Sequence, residues 1–276
     1  MRFFYAIKFA VLNYIQMKKV IGIIVILFAV AMMVFSIYGL AQTNNRATQL
    51  INTNSNGIVV LELFTSQGCS SCPPADEVLS KYVTANNPNI IPLAFHVDYW
   101  NYIGWKDPFS KVQYSDRQRE YAQYFNSNGV YTPQLVINGK YELVGSYEKK
   151  IADLVKKELS RPNNASIKII SSTLINTQLV VKFNPSENNK NLKLNLALVK
   201  KTAFTKIKRG ENIGLEQMSY NIVYDFKSVV LNNSNQIEAT FNFQNDWKPT
   251  DFMIVAYIQD KNNSVIINAC KSEINL

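Results

Sequence analysis

The spacing of apolar residues along the chain changes near residue 163. Before that point, short apolar runs alternate with segments in which apolar residues recur every three or four positions. The first run, residues 58–64, is short and nearly unbroken, which predicts a strand buried on both faces of a sheet. The periodic segments predict amphipathic helices. The predicted order is β-α-β-α-β-β-α, with strands at 58–64, 90–97, 132–137 and 140–144 and helices around 78–83, at 115–125 and from 146 to 161.

Two local signals sharpen this part of the prediction. Asn138-Gly139 stands between two strand-like segments, and this dipeptide favours a type I′ turn in a two-residue hairpin. Ser115 with Gln118 matches a capping box, which predicts that the second helix begins near Ser115.

After residue 163 the pattern consists of short alternating or apolar segments separated by turns rich in Asn, Ser and Lys. Such a pattern without a long helix predicts an antiparallel β-sandwich. The fold class expected is therefore α/β: a mixed sheet with flanking helices at 58–162, followed by a smaller antiparallel β-sandwich domain at 163–276. The candidate strands of the second part are 167–170, 178–183, 192–199, 222–230, 236–243 and 252–259.

The N-terminal segment is interpreted as a targeting signal. Residues 1–41 carry four positive charges and no acid, and residues 20–41 carry no charge at all. Cleavage after Ala41 would leave residues 42–57 as a polar linker. The alternative is an uncleaved membrane anchor, because about 20 apolar residues suffice to span a bilayer. Both interpretations place the remainder outside the cytoplasm, either periplasmic or secreted, and contact with the membrane is expected only if the segment stays uncleaved.

Charge argues against a nucleic-acid partner. The formal net charge is +9, and it falls to +5 once the four charges of residues 1–41 are removed. The remaining lysines are dispersed along the chain, a distribution typical of a solvated surface.

The candidate chemistry lies in Cys69 and Cys72, which follow the first predicted strand and precede a predicted helix. A helix N-terminus stabilises a thiolate, the species that performs disulfide exchange, so Cys69 is the expected nucleophile and Cys72 the expected resolving thiol. Structural zinc is disfavoured because the chain has one histidine and no second cysteine pair. A permanent structural disulfide remains an alternative.

Two further residues are assigned to this site. Pro133 begins the strand that leads into the Asn138-Gly139 turn, where thioredoxin-like proteins place a cis-proline facing the dithiol. Glu62 lies within the first strand, where thioredoxins carry a buried acid that accepts a proton from the resolving cysteine, and a buried carboxylate would have a raised pKa suited to that role. The alternative for Glu62 is a salt-bridged glutamate without a catalytic part.

His96 leaves a second function open. With Cys69 and Cys72, its imidazole could complete a copper or zinc site, or it could be a hydrogen-bonded structural histidine. A third hypothesis is a non-catalytic binding module in which the dithiol is incidental. Under the first hypothesis the partners are protein thiols or disulfides and an unknown redox partner, and no cofactor is expected. Cys270 is expected to be a small buried residue.

Several motifs resemble an uncharacterised secreted thioredoxin-like family, domain of unknown function 1223. They are residues 61–76, 95–100, 104–109, 131–134 and 209–212, or LELFTSQGCSSCPPAD, FHVDYW, GWKDPF, YTPQ and RGEN. The resemblance implies a thioredoxin-like fold outside the cytoplasm and redox roles for Cys69, Cys72 and Pro133. It implies no particular reaction, and the direction of electron flow stays open.

Overall fold

The computed structural model describes residues 57–162, 167–186, 189–232 and 236–274. The predicted signal at 1–41 and all but the last residue of the predicted linker at 42–57 lie outside these ranges. Among the helices that the structure describes, none is both long and apolar enough to cross a bilayer.

Three helices and eleven strands are present in the described ranges, and the predicted order β-α-β-α-β-β-α over the first part is confirmed. The helices are α1 (Pro73–Ala85), α2 (Val112–Tyr124) and α3 (Glu148–Leu159). The strands are β1 (Val59–Thr65), β2 (Ile90–His96), β3 (Gln134–Ile137), β4 (Tyr141–Val144), β5 (Ile167–Ile175), β6 (Gln178–Pro185), β7 (Leu192–Lys206), β8 (Glu216–Val230), β9 (Ile237–Asn242), β10 (Phe252–Asp260) and β11 (Ile266–Glu273).

The predicted mixed α/β class is confirmed: a large mixed sheet with flanking helices is accompanied by a separate, small antiparallel sheet. The large sheet has the order β11-β10-β7-β8-β2-β1-β3-β4, and the small one has the order β5-β6-β9. Strand β1 is parallel to β2, and β2 is parallel to β8 through the pair Ala94 and Ile222. Segments on both sides of residue 162 therefore contribute strands to the same sheet.

Strand β1 lies inside this sheet and is buried along its whole length. Its residues alternate between the two faces, as the pleat requires. Val60 and Phe64 join a cluster with aromatic residues of α2, whereas Leu61 and Leu63 join one with apolar residues of α1 and α3. Helices on both faces explain why the sequence of β1 is an unbroken apolar run.

The small sheet packs against one face of strands β7 and β10 of the large sheet. Alternate apolar residues of β6 pack with inward residues of β7 and β10 in a shared cluster, which includes Leu179, Val181, Phe183, Leu194, Leu196, Ile254 and Ile258. The opposite side of β7 and β10 faces the cluster that contains α2. This two-layered packing accounts for the sandwich-like pattern of the second part of the sequence.

Several elements differ from the predictions in their bounds or their presence. Helix α2 begins at Val112, and Ser115 lies inside it, where its hydroxyl bonds with the backbone N–H and the carboxylate of Asp98. Strand β11 was not predicted. Strands β7 and β8 are 15 residues long, well beyond the predicted ranges.

The β7–β8 hairpin is irregular where its outer part begins. The pairing shifts register between Leu198 and Val199, and Asn221 adopts a left-handed φ of 46°. Strand β8 pairs with β2 only at the single position Ile222 within the described residues. We call residues 202–220 the hairpin arm. Its tip reaches the loop that contains the two cysteines.

The predicted Asn138-Gly139 turn is present, and both residues have positive φ, at 50° and 64°. A Cβ on Gly139 would lie 1.9 Å from the carbonyl oxygen of Ser264. We expect Gly139→Ala to lower the free energy of unfolding by more than the about 1–2 kcal/mol that a left-handed φ alone costs. Urea denaturation measures the change.

The matched control for this prediction is Gly104→Ala. Gly104 also has a positive φ, of 92°, but nothing lies within 4 Å of its added Cβ. The control therefore isolates backbone strain from steric overlap. Equal losses in the two variants would show that the approach of Ser264 is not limiting.

Candidate functional site

Cys69 and Cys72 lie in the turn that enters α1. Cys72 is the N-cap residue, and its carbonyl accepts hydrogen bonds from the backbone N–H groups of Ala75 (2.9 Å) and Asp76 (3.1 Å). Pro73 and Pro74 occupy the first helical turn, where a missing N–H costs nothing. The predicted placement at a helix start is confirmed. Both cysteines are unpaired thiols, with exposures of 1% for Cys69 and 0% for Cys72.

The surroundings of Cys69 favour its thiolate. A hydrogen bond from the Cys72 thiol, together with one from the Ser71 hydroxyl at 3.2 Å, lowers the pKa of Cys69 to about 6, although burial opposes the shift. For Cys72 the direction is reversed: burial, the hydrogen bond to Cys69 and the charge of Asp76 raise its pKa. The two thiols therefore differ strongly in acidity, with the thiolate on Cys69.

Pro133 lies beside this dithiol. The Thr132-Pro133 peptide bond is cis, as predicted. The carbonyl oxygen of Thr132 is 3.9 Å from the Cys69 sulfur and 3.4 Å from the Ser71 hydroxyl oxygen. The structure thus brings together three of the predicted site residues, Cys69, Cys72 and Pro133.

The tip of the hairpin arm closes over the cysteine loop. The side-chain amide of Asn212 donates to the carbonyl oxygens of Gln67 (3.0 Å) and Cys69 (2.9 Å). The Glu211 carboxylate accepts a hydrogen bond from the backbone N–H of Ser70 at 2.9 Å, which lowers the pKa of Glu211. Sequence reasoning noted these residues only within the RGEN motif and missed their contact with the dithiol loop.

Two tryptophans form hydrogen bonds with the cysteine loop and with Thr132 beside it. The indole N–H of Trp100 donates to the Thr132 hydroxyl at 2.7 Å, and that of Trp105 donates to the Gln67 side chain at 3.2 Å. The aromatic segment after β2 therefore supports the cysteine loop and the Thr132-Pro133 segment that precedes β3.

His96 is paired with Asp107. It is buried, and its Nδ1 forms an ion pair with Asp107 at 2.7 Å. Burial by itself would lower the pKa of His96, but the charge and hydrogen bond of Asp107 raise it overall. In the ranges that the structure describes, no group of three or more His, Cys, Asp or Glu side chains is arranged to hold a metal ion. The structure does not assemble Cys69, Cys72 and His96 into a metal centre.

Glu62 is fully buried and has its own partners. Arg117 binds both carboxylate oxygens, at 2.7 Å and 3.0 Å. The phenol of Tyr257 donates to it at 2.8 Å, and the phenol of Tyr121 donates as well. The geometry therefore favours the interpretation of Glu62 as a salt-bridged residue over its predicted role as the proton acceptor for Cys72.

The acid whose charge acts on Cys72 is Asp76, one helical turn further along α1. Its carboxylate accepts a hydrogen bond of 2.8 Å from the Gln217 side chain of the hairpin arm. Burial raises the pKa of Asp76 to about 6, and the charge of His96 limits the rise. The spacing of four residues from Cys72 is the signal that could have identified Asp76 in the sequence.

Cys270 is remote from this site. It lies on β11 and pairs with Ala256, and four strands of the large sheet separate β11 from β1. Burial raises the pKa of Cys270 to about 12. Its side chain is only partly buried and packs against the cluster beneath the small sheet, so the expectation of a small buried residue holds in part.

Comparisons with known proteins place the fold in a family. The chain is 27% identical to protein AGR_C_4864 from Agrobacterium tumefaciens, with a TM-score of 0.61, over 82% of this chain and 98% of that one. HBP35 of Porphyromonas gingivalis shares the fold at 15% identity and a TM-score of 0.57, over 81% of this chain and 77% of its own. No curated protein matches the chain. The family model described as protein of unknown function (DUF1223) matches residues 60–259, which is most of the chain, and the chain therefore belongs to the DUF1223 family.

Proposed function

We propose that the protein is an exported thiol-disulfide oxidoreductase with a thioredoxin-like active site, in which Cys69 is the nucleophile and Cys72 the resolving thiol. The observation that carries the proposal is the acidic Cys69 thiol at the start of α1, beside the carbonyl of Thr132 and next to Pro133. Lowered thiol pKa values of this kind are typical of catalytic and redox cysteines, whereas inert structural cysteines are buried with raised values.

The proposed reaction has two steps. The Cys69 thiolate attacks a substrate disulfide, which forms a mixed disulfide and releases one substrate thiolate. Cys72 then loses its proton and attacks the sulfur of Cys69, so that the Cys69–Cys72 disulfide forms and the second substrate thiolate leaves. The substrate is reduced by two electrons and the dithiol is oxidised by two, and the reverse sequence oxidises a dithiol substrate.

The low pKa of the Cys69 thiol affects the direction of electron flow between the dithiol and its substrate. A stabilised thiolate favours the reduced form of the pair, so the Cys69–Cys72 disulfide is expected to be more oxidising than one formed from thiols with ordinary pKa values. Proposed partners are protein thiols or disulfides outside the cytoplasm. The charge and hydropathy pattern of residues 1–41 supports this location.

Alkylation against pH tests the assignment of the nucleophile. We expect iodoacetamide to modify Cys69 of the reduced protein with a midpoint near its pKa of about 6, because the thiolate is the reactive form and its fraction rises with pH. Cys270, whose pKa is raised to about 12, should stay unmodified while the protein is folded. Mass spectrometry of peptides separates the sites.

The same protein should accelerate the reduction of insulin disulfides by dithiothreitol. A rate equal to that of dithiothreitol alone, or a Cys69 midpoint near the ordinary value of about 8.5, would contradict the proposal.

A further inference from the structure

Cys72 needs an internal proton acceptor to act as a resolving thiol. It has no exposed surface, and burial disfavours its thiolate. Its proton therefore has no direct route to solvent in the closed site. Glu62, the acid first assigned to this step, has both oxygens taken up by Arg117 and two tyrosines.

A polar contact joins α1 to the hairpin arm through Asp76 and Gln217. Gln217 and Ser219 alternate along β8 and both point inward, since they are buried whereas Met218 between them is exposed. Gln217 Nε2 donates to Asp76, but Gln217 Oε1 and the Ser219 hydroxyl are buried and find no hydrogen-bond partner among the described residues. Buried polar atoms are normally paired, so these two atoms mark a polar inner face of the hairpin arm.

We propose that Asp76 accepts the proton of Cys72 during resolution of the mixed disulfide, with Gln217 holding the carboxylate in place. This inference rests on the proposed oxidoreductase function. The S–H bond of Cys72 breaks, its electron pair forms the new bond to the Cys69 sulfur, and the old bond from Cys69 to the substrate sulfur breaks. The proton passes to Asp76 and from there to the departing substrate thiolate, so no further reactant is needed.

The groups around Asp76 suit this task. Cys72 approaches it from the start of α1, His96 from β2 and Asp107 from the segment after β2, while the hairpin arm contributes the neutral Gln217. His96 and Asp107 form a buried ion pair whose charges act on Asp76 in opposite senses. Burial then makes Asp76 a stronger base than an exposed aspartate, while it stays ionised at neutral pH.

Stopped-flow reaction of the reduced protein with dithiobisnitrobenzoate separates the two steps. The first coloured thiolate reports attack by Cys69, and the second reports resolution by Cys72. In Asp76→Asn we expect the first release at the wild-type rate and the second slowed by about 10²-fold or more, the usual contribution of a positioned base. Glu77→Gln, an exposed acid on the same helical turn, is the matched control and should leave both releases unchanged.

The pH profile distinguishes proton transfer from a merely structural role. In the wild type, the second release should rise with pH through a midpoint near 6, where Asp76 loses its proton, and Asp76→Asn should lack this midpoint. In Gln217→Leu, which retains the carboxylate, the midpoint should move to higher pH, because a hydrogen bond that favours the ionised form is lost.

A second release at the wild-type rate and pH profile in Asp76→Asn would overturn this proposal and leave the oxidoreductase function standing. An unshifted midpoint in Gln217→Leu would contradict it as well, even if Asp76→Asn failed to fold. Absence of any first release from the wild type would instead show that the proposed function itself is wrong.

Discussion

Replacing Cys69 with serine is expected to reduce insulin reduction by the protein to the rate of dithiothreitol alone. A serine hydroxyl does not ionise near neutral pH, so the hydrogen bonds that stabilise the thiolate at this position have no nucleophile to act on. The side chain is nearly isosteric, and the contacts with Ser71 and Thr132 can be kept. The expected loss is therefore chemical and not structural.

Cys270→Ser is the matched control for this prediction, because it also replaces a cysteine with serine but lies on β11, against the cluster beneath the small sheet. We expect it to retain full activity. Cys72→Ser should instead trap a mixed disulfide between Cys69 and the substrate, detectable as a mass increase. Activity that survives in Cys69→Ser, or that is lost equally in Cys270→Ser, would contradict the assignment of the nucleophile.

Arg117→Met is expected to produce the largest loss of stability, about 3–5 kcal/mol in the free energy of unfolding. Arg117 and Glu62 form an ion pair with side-chain exposures of 4% and 0%. Removing the guanidinium leaves the buried carboxylate without its counter-charge, and only the tyrosine hydroxyls remain to solvate it. The change also removes stacking of the guanidinium on the ring of Phe226, whose centroid is 4.8 Å away.

Arg119→Met, two residues along the same helix, provides the comparison for Arg117→Met. Arg119 pairs with Asp116 at the surface, with exposures of 52% and 61%, and exposed pairs contribute at most about 1 kcal/mol. In the double variant Glu62→Leu with Arg117→Met, part of the lost stability should return, because no unpaired charge stays buried. Urea denaturation of the four proteins measures these values. Equal losses in Arg117→Met and Arg119→Met would show that burial does not control the cost.

The comparison between Glu62 and Asp76 shows where sequence reasoning reaches its limit. Both are acids near the dithiol in the chain, and the sequence pattern drew attention to Glu62 because it interrupts an apolar strand. The partners that distinguish them come from distant segments. Arg117 is 55 residues from Glu62, and Gln217 is 141 residues from Asp76. No local pattern encodes such pairings.

His96 and the helix boundary near Ser115 illustrate the same limit. The sequence placed His96 at the end of a strand, but its partner Asp107 follows an irregular loop that periodicity does not describe. The motif at Ser115 and Gln118 matches a capping box, yet both side chains are buried in contacts with other segments, and α2 begins at Val112. In both cases tertiary contacts override the local signal.

Local sequence patterns were sufficient to predict the elements whose information lies within a few residues. These are the buried run of β1, the turn at Asn138-Gly139, the placement of Cys69 and Cys72 at a helix start, and the strand that follows Pro133. Only the tertiary structure decided that β8 joins β2 in one sheet, that the hairpin arm covers the dithiol loop, and which acid lies beside Cys72. The physical reason is that periodicity and turn propensity act within a few residues, whereas strand pairing and buried polar contacts join segments that are far apart in the chain.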